Sequence, residues 1–295
     1  MFGVNRTRPD WTAARADWPN ADKSRFVRSG AIEWHVQIDG PEDAPVLLLI
    51  HGTGASSHSF RDVLPILAPS FRVIAPDLPG HGFTDARSDD SLSLPGMARS
   101  LRDLCTALGV EPRFGVGHSA GTAVLIQMTL AEHAPFDRIV GINSALSPIE
   151  GNAVLSPLAK LFFANPMIPR LVSWRAASSD MVESLIARTG STLDPAGGRC
   201  YQTLVRNPAH VAGALGMMAS WDLEPMRRRF SELDLPITFI VAEDDPMVPP
   251  KDSHDAAARM AAAELICVKA GGHLLHEVEP DRIARLVTEI CLRKK

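Results

Sequence analysis

No stretch of this sequence is both apolar enough and long enough to cross a lipid bilayer. A helical span needs about 20 consecutive apolar residues, whereas the uninterrupted run Val46–Ile50 has only five. Residues 1–28 alternate charged residues with Trp and Pro, and they contain no apolar core of the kind a signal peptide requires. We therefore expect a cytoplasmic protein without a transmembrane segment.

The sequence is also poor in cysteine and close to charge balance. With 30 Lys and Arg against 34 Asp and Glu, the net charge is −4, which gives no basic footprint for a nucleic acid. There is no phosphate-binding loop and no carboxylate cluster, so no ATP, metal or other cofactor is expected. Four dispersed cysteines without a C-x-x-C pair favour buried free thiols in a reducing compartment: Cys105, Cys200, Cys267 and Cys291.

The 295 residues contain strands and helices in alternation, with 45% hydrophobic and 22% charged residues overall. A hairpin of Arg25–Arg28 and Ile32–Ile38 precedes buried strands near 46–50 and 71–75, a helix from about Ser59 to Leu67 and another from about Ser93 to Leu108. Further strands are predicted at 114–116, 138–143, 237–241 and 265–268, with a last helix from about Pro280 to Leu292. This alternation predicts an α/β protein with a mostly parallel sheet covered on both faces.

The stretch Gly117-His118-Ser119-Ala120-Gly121 lies between one of these strands and a helix. In that setting Gly-x-Ser-x-Gly indicates a nucleophile elbow, a sharp turn that exposes the serine hydroxyl above the sheet edge. Glycine at both ends allows strand and helix to approach closely, and the start of the helix directs free N–H groups at a developing oxyanion. Ser119 is therefore the candidate nucleophile.

A serine nucleophile needs a base, and the base needs an orienting acid. After the strand at 237–241 come Glu243, Asp244 and Asp245, and after the strand at 265–268 come His273 and His276. With these runs in place the chain resembles an α/β-hydrolase over nearly all of its length beyond residue 25. The resemblance implies an eight-stranded sheet, Asp245 before the Pro-x-Val-Pro run as the acid, and His273 after a glycine pair as the base. Glu243, Asp244 and His276 stay open as alternatives.

The resemblance also implies an oxyanion hole made by the N–H groups of Ala120 and Thr53, with Gly54 as the next choice for the second donor. His51 fits a structural role better than a catalytic one, as a ring that ties its loop down by hydrogen bonds. The remaining candidates either line a substrate pocket or pack in the core, with His118 beneath the site: His118, Met217, Met218 and Trp221.

Between residues 147 and 232 no strand pattern occurs, and prolines divide the segment into short helical runs rich in Met and Phe, including Phe162 and Phe163. We expect a helical cap at 147–232 over Ser119, an α/β-hydrolase core at 26–146 and 233–295, and an arm at 1–25 that Trp11 and Trp18 anchor. The cap would enclose a mostly apolar pocket, although an oligomerisation surface is the alternative.

A narrower resemblance rests on five segments: Asp17-Trp18-Pro19-Asn20, Ser24-Arg25-Phe26-Val27, Trp34-His35-Val36-Gln37, His51-Gly52-Thr53-Gly54-Ala55 and Asp77–Thr84. They resemble the magnesium-chelatase accessory proteins of bacteriochlorophyll biosynthesis, a subgroup with hydrolase-like sequences. This implies a role near magnesium insertion, with a tetrapyrrole as a candidate ligand and magnesium chelatase as a candidate partner. Two functions stand: a serine hydrolase acting on an ester, thioester or carbon–carbon bond of an apolar substrate, or a non-catalytic accessory protein that binds or transfers a tetrapyrrole.

Overall fold

A computed structural model of the chain describes residues 8–85, 90–132, 134–147, 165, 167–175 and 179–293. Within them, one sheet has eight strands: β1 Ser24–Ser29, β2 Ile32–Asp39, β3 Val46–Ile50, β4 Arg72–Pro76, β5 Phe114–His118, β6 Arg138–Ile142, β7 Ile237–Ala242 and β8 Ala263–Val268. Their order across the sheet is β1-β2-β4-β3-β5-β6-β7-β8. The pairs β1/β2 and β2/β4 are antiparallel, and every other neighbouring pair is parallel. The predicted mostly parallel sheet, with an antiparallel hairpin at one edge, is confirmed.

The strands lie where the apolar runs predict them. Gly30, with φ +56°, makes the turn between the first two strands, a conformation that suits glycine. The central strands are buried on both faces because helices cover the sheet from either side.

Helices cover both faces of the sheet and enclose two apolar cores. The helices are α1 Trp11–Ala14, α2 Val63–Leu67, α3 Leu94–Leu108, α4 Ala120–Leu130, α5 Met167–Arg175, α6 Ser179–Ala187, α7 Pro195–Val205, α8 Pro208–Ser220, α9 Glu224–Arg228, α10 Pro250–Ala257, α11 Leu275–Val278 and α12 Pro280–Leu292. One core lies against α3 and α4, and the other lies against α2 and α12. Short 3₁₀ turns occur at Ala21–Lys23, Ser57–Phe60, Asp90–Leu92 and Phe230–Glu232.

Two sequence predictions were wrong in detail. The helix expected from Ser59 to Leu67 is divided into a 3₁₀ turn and α2, which places Pro65 in a first turn, where its missing N–H is not needed. Cys267 is exposed, whereas the other three cysteines are buried. The reason is that Cys267 lies on β8, the last strand of the sheet, where several residues face solvent.

Five helices, α5 to α9, are inserted between β6 and β7, and no strand occurs among the described residues of this insertion. Part of the segment on which the cap prediction rests lies outside the described residues, including Pro148, Pro157, Pro166, Phe162 and Phe163.

At the other end of the chain, Trp18 is buried, and the Trp11 ring contacts Phe83 and His35 at centroid distances of 5.0 and 4.9 Å. Both tryptophans therefore join the segment before β1 to the body of the protein. In the described part of the chain, every helix is too short or too polar to span a membrane.

Candidate active site

Ser119 lies at the sharp turn between β5 and α4, and its backbone is strained. Its φ of 51° and ψ of −118° lie outside the regions that L-residues favour. A side chain at Gly117 would overlap the backbone of Thr122, and one at Gly121 would overlap the carbonyl oxygen of Ile50. The two glycines are therefore required by close backbone packing on either side of the serine, as the motif predicts.

His273 and Asp245 are brought together by the loops after β8 and β7. The His273 Nδ1–H donates to Asp245 Oδ2 over 2.8 Å, and the carboxylate is fully buried. Asp245 Oδ1 accepts from the backbone N–H groups of Met247 and Val248, which fixes the orientation of the carboxylate. With Nδ1 occupied as a donor, the neutral His273 ring carries its lone pair on Nε2.

The backbone of the His273 loop is bonded directly to the elbow region. The carbonyl oxygen of His273 accepts from His118 Nε2 at 2.9 Å and from Asn143 Nδ2 at 3.0 Å. Asn143 follows β6 and also accepts from the N–H of Ala242 at the end of β7. One amide side chain thus holds the ends of two strands and the histidine loop together, a role that the sequence analysis missed.

The three alternatives that the sequence left open have other positions. The Asp244 carboxylate accepts from the N–H groups of Gly271 and Gly272, so it supports the histidine loop from below. Glu243 is exposed. His276 is fully buried, with no hydrogen-bond partner for either ring nitrogen among the described residues. Geometry therefore pairs Asp245 and His273 with each other.

Three imidazole rings lie in contact at tilted angles: His273 contacts His118 at 4.8 Å between centroids, and His118 contacts His276 at 4.3 Å. Burial lowers the pKa of His276 to about 3, with the charge of His273 adding to the effect. Burial also lowers the pKa of His118 well below its ordinary value. Both rings are therefore neutral at physiological pH, and His118 is buried against the His273 loop.

The loop after β3 approaches the serine closely, because a side chain at Gly52 would lie 3.0 Å from the Ser119 Cβ. The backbone N–H groups of Thr53, Gly54 and Ala120 have no acceptor among the described residues. His51 anchors this loop, since its Nδ1–H donates to the Gly52 carbonyl and its Nε2 accepts from the Leu78 N–H, both at 2.8 Å. The site therefore offers free N–H donors on both sides of the serine.

The remaining pocket candidates lie on or just after helix α8 (Pro208–Ser220). Met217 is buried, and its sulfur accepts from the Thr53 hydroxyl at 3.5 Å. The Trp221 indole N–H donates to the Leu92 carbonyl, and its ring packs against the larger core. Met218 is partly exposed, at 39%. Met217 thus contacts the loop after β3, whereas the Trp221 indole N–H is bonded to Leu92.

The insertion also contacts the histidine loop through Thr189 and Ser191, which the sequence analysis did not identify. The His273 N–H donates to the Thr189 carbonyl at 2.8 Å. The Ser191 hydroxyl donates to the Gly271 carbonyl and accepts from the Leu274 N–H. A side chain at Gly272 would come within 2.6 Å of Gly190 and Ser191 atoms, so this contact is a close backbone packing. Residues 189–191 are therefore part of the wall that positions His273.

A buried polar network joins the insertion to the core behind this wall. Glu277 accepts from Arg61 Nη1 and from the Tyr201 hydroxyl, each at 2.6 Å, and Arg61 Nη2 donates to Asp194 at 3.0 Å. Burial raises the pKa of the Tyr201 hydroxyl well above its ordinary value, and the Glu277 carboxylate beside it acts in the same direction. Tyr201 is therefore an un-ionised donor. Among the described residues, no group of His, Cys, Asp and Glu side chains has the arrangement of a metal site.

Comparison with known proteins agrees with the fold. The sequence profile of the alpha/beta hydrolase fold family matches residues 45–280. The magnesium-chelatase 30 kDa subunit of Rhodobacter capsulatus is 40% identical over 282 residues, which is 95% of this chain and 98% of the relative. A 2-hydroxy-6-oxo-6-phenylhexa-2,4-dienoate hydrolase of Burkholderia cepacia is 23% identical over 90% of this chain and 95% of its own.

Among solved structures, naproxen esterase (carboxylesterase NP) from Bacillus subtilis superimposes with a TM-score of 0.70 at 19% identity, covering 95% of both chains. At that identity the likeness shows the fold alone. The profile match and the 40% identical relative together place this protein in the α/β-hydrolase fold family, in the company of the magnesium-chelatase 30 kDa subunit.

Proposed function

We propose that the protein is a serine hydrolase in which Ser119, His273 and Asp245 form a catalytic triad. The observation that carries the proposal is the buried 2.8 Å pair of Asp245 and His273, with the His273 loop bonded to His118 of the Ser119 elbow. Strain at a serine backbone persists where the surrounding structure enforces it, and such strain concentrates at functional sites. Membership of the α/β-hydrolase fold family supports the same function.

In the first half of the reaction, His273 Nε2 takes the Ser119 proton as Oγ attacks the substrate carbonyl. Asp245 holds the ring in the required tautomer and stabilises the imidazolium that forms. The N–H groups of Ala120 and Thr53 donate to the oxyanion, with Gly54 as the alternative second donor. When the tetrahedral intermediate collapses, the bond to the leaving group breaks, His273 gives its proton to that group, and the acyl group stays on Ser119 Oγ as an acyl-enzyme.

In the second half, a water molecule loses its proton to the same His273 nitrogen and attacks the acyl-enzyme. The tetrahedral oxyanion again lies between the two loops, and its collapse releases the acid and restores the Ser119 hydroxyl. Ester and thioester substrates follow this course directly. A carbon–carbon bond beside a carbonyl follows it when the leaving carbanion is stabilised by conjugation.

The substrate is an apolar small molecule, held beneath a helical cap at residues 147–232 over a core at 26–146 and 233–295. The Met217–Thr53 contact supports this arrangement because it places an apolar side chain of the insertion at the oxyanion loop. Similarity to a protein named as a magnesium-chelatase subunit supports work in or near bacteriochlorophyll biosynthesis, in the cytoplasm, at the magnesium-chelatase step. Residues 1–25 act as an arm that packs on the core.

The same similarity favours one second candidate, a non-catalytic accessory protein that binds or transfers a tetrapyrrole and has magnesium chelatase as its partner. In that case the triad would be idle. The two candidates differ in whether Ser119 reacts.

The deciding experiment is labelling of the purified protein with a fluorophosphonate probe, followed by hydrolysis of an ester panel. Ser119 should be labelled rapidly, and Ser119→Ala should abolish both labelling and hydrolysis because no nucleophile remains. Ser231→Ala, which changes an exposed serine, serves as the matched control and should be labelled at the wild-type rate. Labelling of Ser119→Ala at the wild-type rate would remove Ser119 from the mechanism. An inert wild type that binds protoporphyrin in an absorbance titration would establish the accessory role instead.

A further inference from the structure

A buried histidine of the insertion, His210, lies at the junction of two loops beside the candidate site. It is the third residue of helix α8 (Pro208–Ser220), and only 2% of its surface is exposed. Asn207 caps this helix, with its side-chain oxygen accepting from the N–H groups of Ala209 and His210. The cap fixes the first turn of α8, and so it fixes the direction of the His210 ring.

Both ring nitrogens of His210 are bonded to backbone groups of the core. Nδ1 lies 3.0 Å from the Gly82 nitrogen, and Nε2 lies 3.1 Å from the Gly54 carbonyl oxygen. Because a backbone N–H can only donate, Nδ1 must carry the lone pair, and Nε2–H must donate to Gly54. His210 is therefore a neutral ring with one defined tautomer, and burial, which lowers its pKa to about 4, keeps it neutral.

The two backbone partners belong to different loops. Gly54 follows β3 and is adjacent to Thr53, and Gly82 lies in the turn after β4. The core itself already joins these loops through Asp77, whose carboxylate accepts from the N–H groups of Ser57 and Phe83. His210 adds a second connection, and this one comes from the insertion.

Helix α8 is seated on the same turn without space to shift. A side chain at Gly213, one turn after His210, would overlap the Gly80 carbonyl oxygen. Two turns after His210, Met217 accepts from the Thr53 hydroxyl. The helix therefore contacts the Thr53–Gly54 segment at His210 and at Met217, while its backbone lies against the turn after β4.

The geometry points to His210 as a positioning residue for the oxyanion hole, an inference that rests on the proposed hydrolase function. Donation from Nε2 fixes the Gly54 carbonyl, and His51 holds the Gly52 carbonyl, so the Thr53–Gly54 peptide group lies between two fixed carbonyls. That peptide group carries the Gly54 N–H, whereas the Thr53 N–H shares its peptide group with the Gly52 carbonyl; neither N–H has an acceptor among the described residues. His210 therefore acts on the direction of the Gly54 donor, and His51 on that of the Thr53 donor.

Two substitutions separate the bonds of His210. His210→Gln retains a donor at the position of Nε2 for Gly54 and gives up the acceptor for Gly82. His210→Asn retains an acceptor at the position of Nδ1 for Gly82 and gives up the donor to Gly54. Each variant loses one buried hydrogen bond. If the role of His210 were purely structural, the two variants would show similar decreases in melting temperature and in reactivity. His254→Asn, at an exposed histidine of α10 (Pro250–Ala257), is the matched control.

The readout is the second-order rate constant of fluorophosphonate labelling, with melting temperatures measured alongside. We expect the rate constant of His210→Asn to be about 10²-fold below that of the wild type, because misplacement of an oxyanion donor by about 1 Å is enough for such a loss. The rate constant of His210→Gln should remain within about threefold of wild type. Equal rates for the two variants, at similar melting temperatures, would overturn the positioning role and leave the hydrolase intact. A wild type that is not labelled would reject the hydrolase, and the positioning role with it.

The tautomer gives a check that does not depend on reactivity. A long-range ¹H–¹⁵N spectrum of the histidine rings at pH 7 should show His210 as the neutral Nε2–H form, whereas the spectrum of His210→Asn identifies its signals by their loss. An Nδ1–H tautomer would overturn the inference, because such a ring could not accept from Gly82.

Discussion

At the scale of single residues, the two loops after β7 and β8 decide how the site is assembled. Three acidic residues in a row, Glu243 to Asp245, have the same chemistry in the sequence. Only the course of the loop determines which group each carboxylate faces. Asp245 faces His273, Asp244 bonds the glycine pair, and Glu243 faces solvent. Sequence patterns indicated Asp245, but they could not exclude its neighbours, since adjacent carboxylates differ only in direction.

The different positions of Asp244 and Asp245 predict that removing the charge of each will have very different effects on the labelling rate. Asp245→Asn should reduce the fluorophosphonate labelling rate on the order of 10³-fold or more, because His273 loses the acceptor that fixes its tautomer. Asp244→Asn is the matched control, since its amide oxygen can still accept from one of the two glycine N–H groups, and its labelling rate should stay within about tenfold of wild type. The labelling rates of both variants and of the wild type should be measured at one pH. Equal losses in the two variants would contradict the assignment of the acid.

Other residues of the site could not have been found by pattern. His210, Thr189 and Ser191 reach the site from a segment that is distant along the chain, and no spacing links them to Ser119. The sole local signal for His210 is the helix start at Asn207-Pro208, which places His210 at the third helical position. This signal does not indicate which groups the ring contacts. Long-range contacts of this kind depend on how the insertion docks, and docking is a property of the folded chain.

At the scale of elements, alternation along the chain predicted the sheet because each buried strand carries its own apolar run. The first helix after β3 was misjudged, since Pro65 is incompatible with a continuous helix through residue 61. The strand–turn–helix at Ser119 was predictable, because the glycines at 117 and 121 are enforced by backbone contacts on each side. The cap boundaries near 147 and 232 stay a prediction.

Packing at the start of α4 gives an element-scale prediction. Gly121→Ala should lower the free energy of unfolding by about 3 kcal/mol, since the added methyl overlaps the Ile50 carbonyl oxygen and β3 must move away from α4. Gly198→Ala, in α7 (Pro195–Val205), is the matched control: the position is open, so the same change should stabilise by about 0.5–1 kcal/mol. Urea unfolding monitored by circular dichroism measures both. If Gly121→Ala left the free energy of unfolding unchanged, α4 would be able to shift without loss of stability.

At the scale of the whole molecule, several buried neutral histidines make stability depend on pH. Burial lowers the pKa of His276 to about 3, that of His210 to about 4, and those of His58, His81 and His118 well below the ordinary value. In the unfolded chain these rings bind protons near pH 6.5. Their contribution to stability is therefore complete above pH 6.5 and is lost as the pH falls toward the folded-state values.

His276 isolates one part of this effect, because neither ring nitrogen is bonded within the described chain and the ring packs on Phe60 and His118. His276→Phe should remove the proton linkage while filling similar space. Between pH 8 and pH 5 the wild type should lose about 2 kcal/mol more unfolding free energy than the variant. Urea titrations at the two pH values test this. Parallel losses in both proteins would mean that His276 is not held neutral.

The hydrogen bond from the His273 N–H to the Thr189 carbonyl has a consequence for protein engineering. Inserted helices in a shared scaffold are often treated as exchangeable modules, to be grafted from one relative to another to transfer substrate preference. Here a graft that omitted residues 189–191 would leave the N–H groups of His273 and Leu274 without the acceptors they have now. A chimaera that keeps the core of this protein must therefore also keep residues 189–191. The junction to the grafted helices should lie after Ser191 rather than at the end of β6.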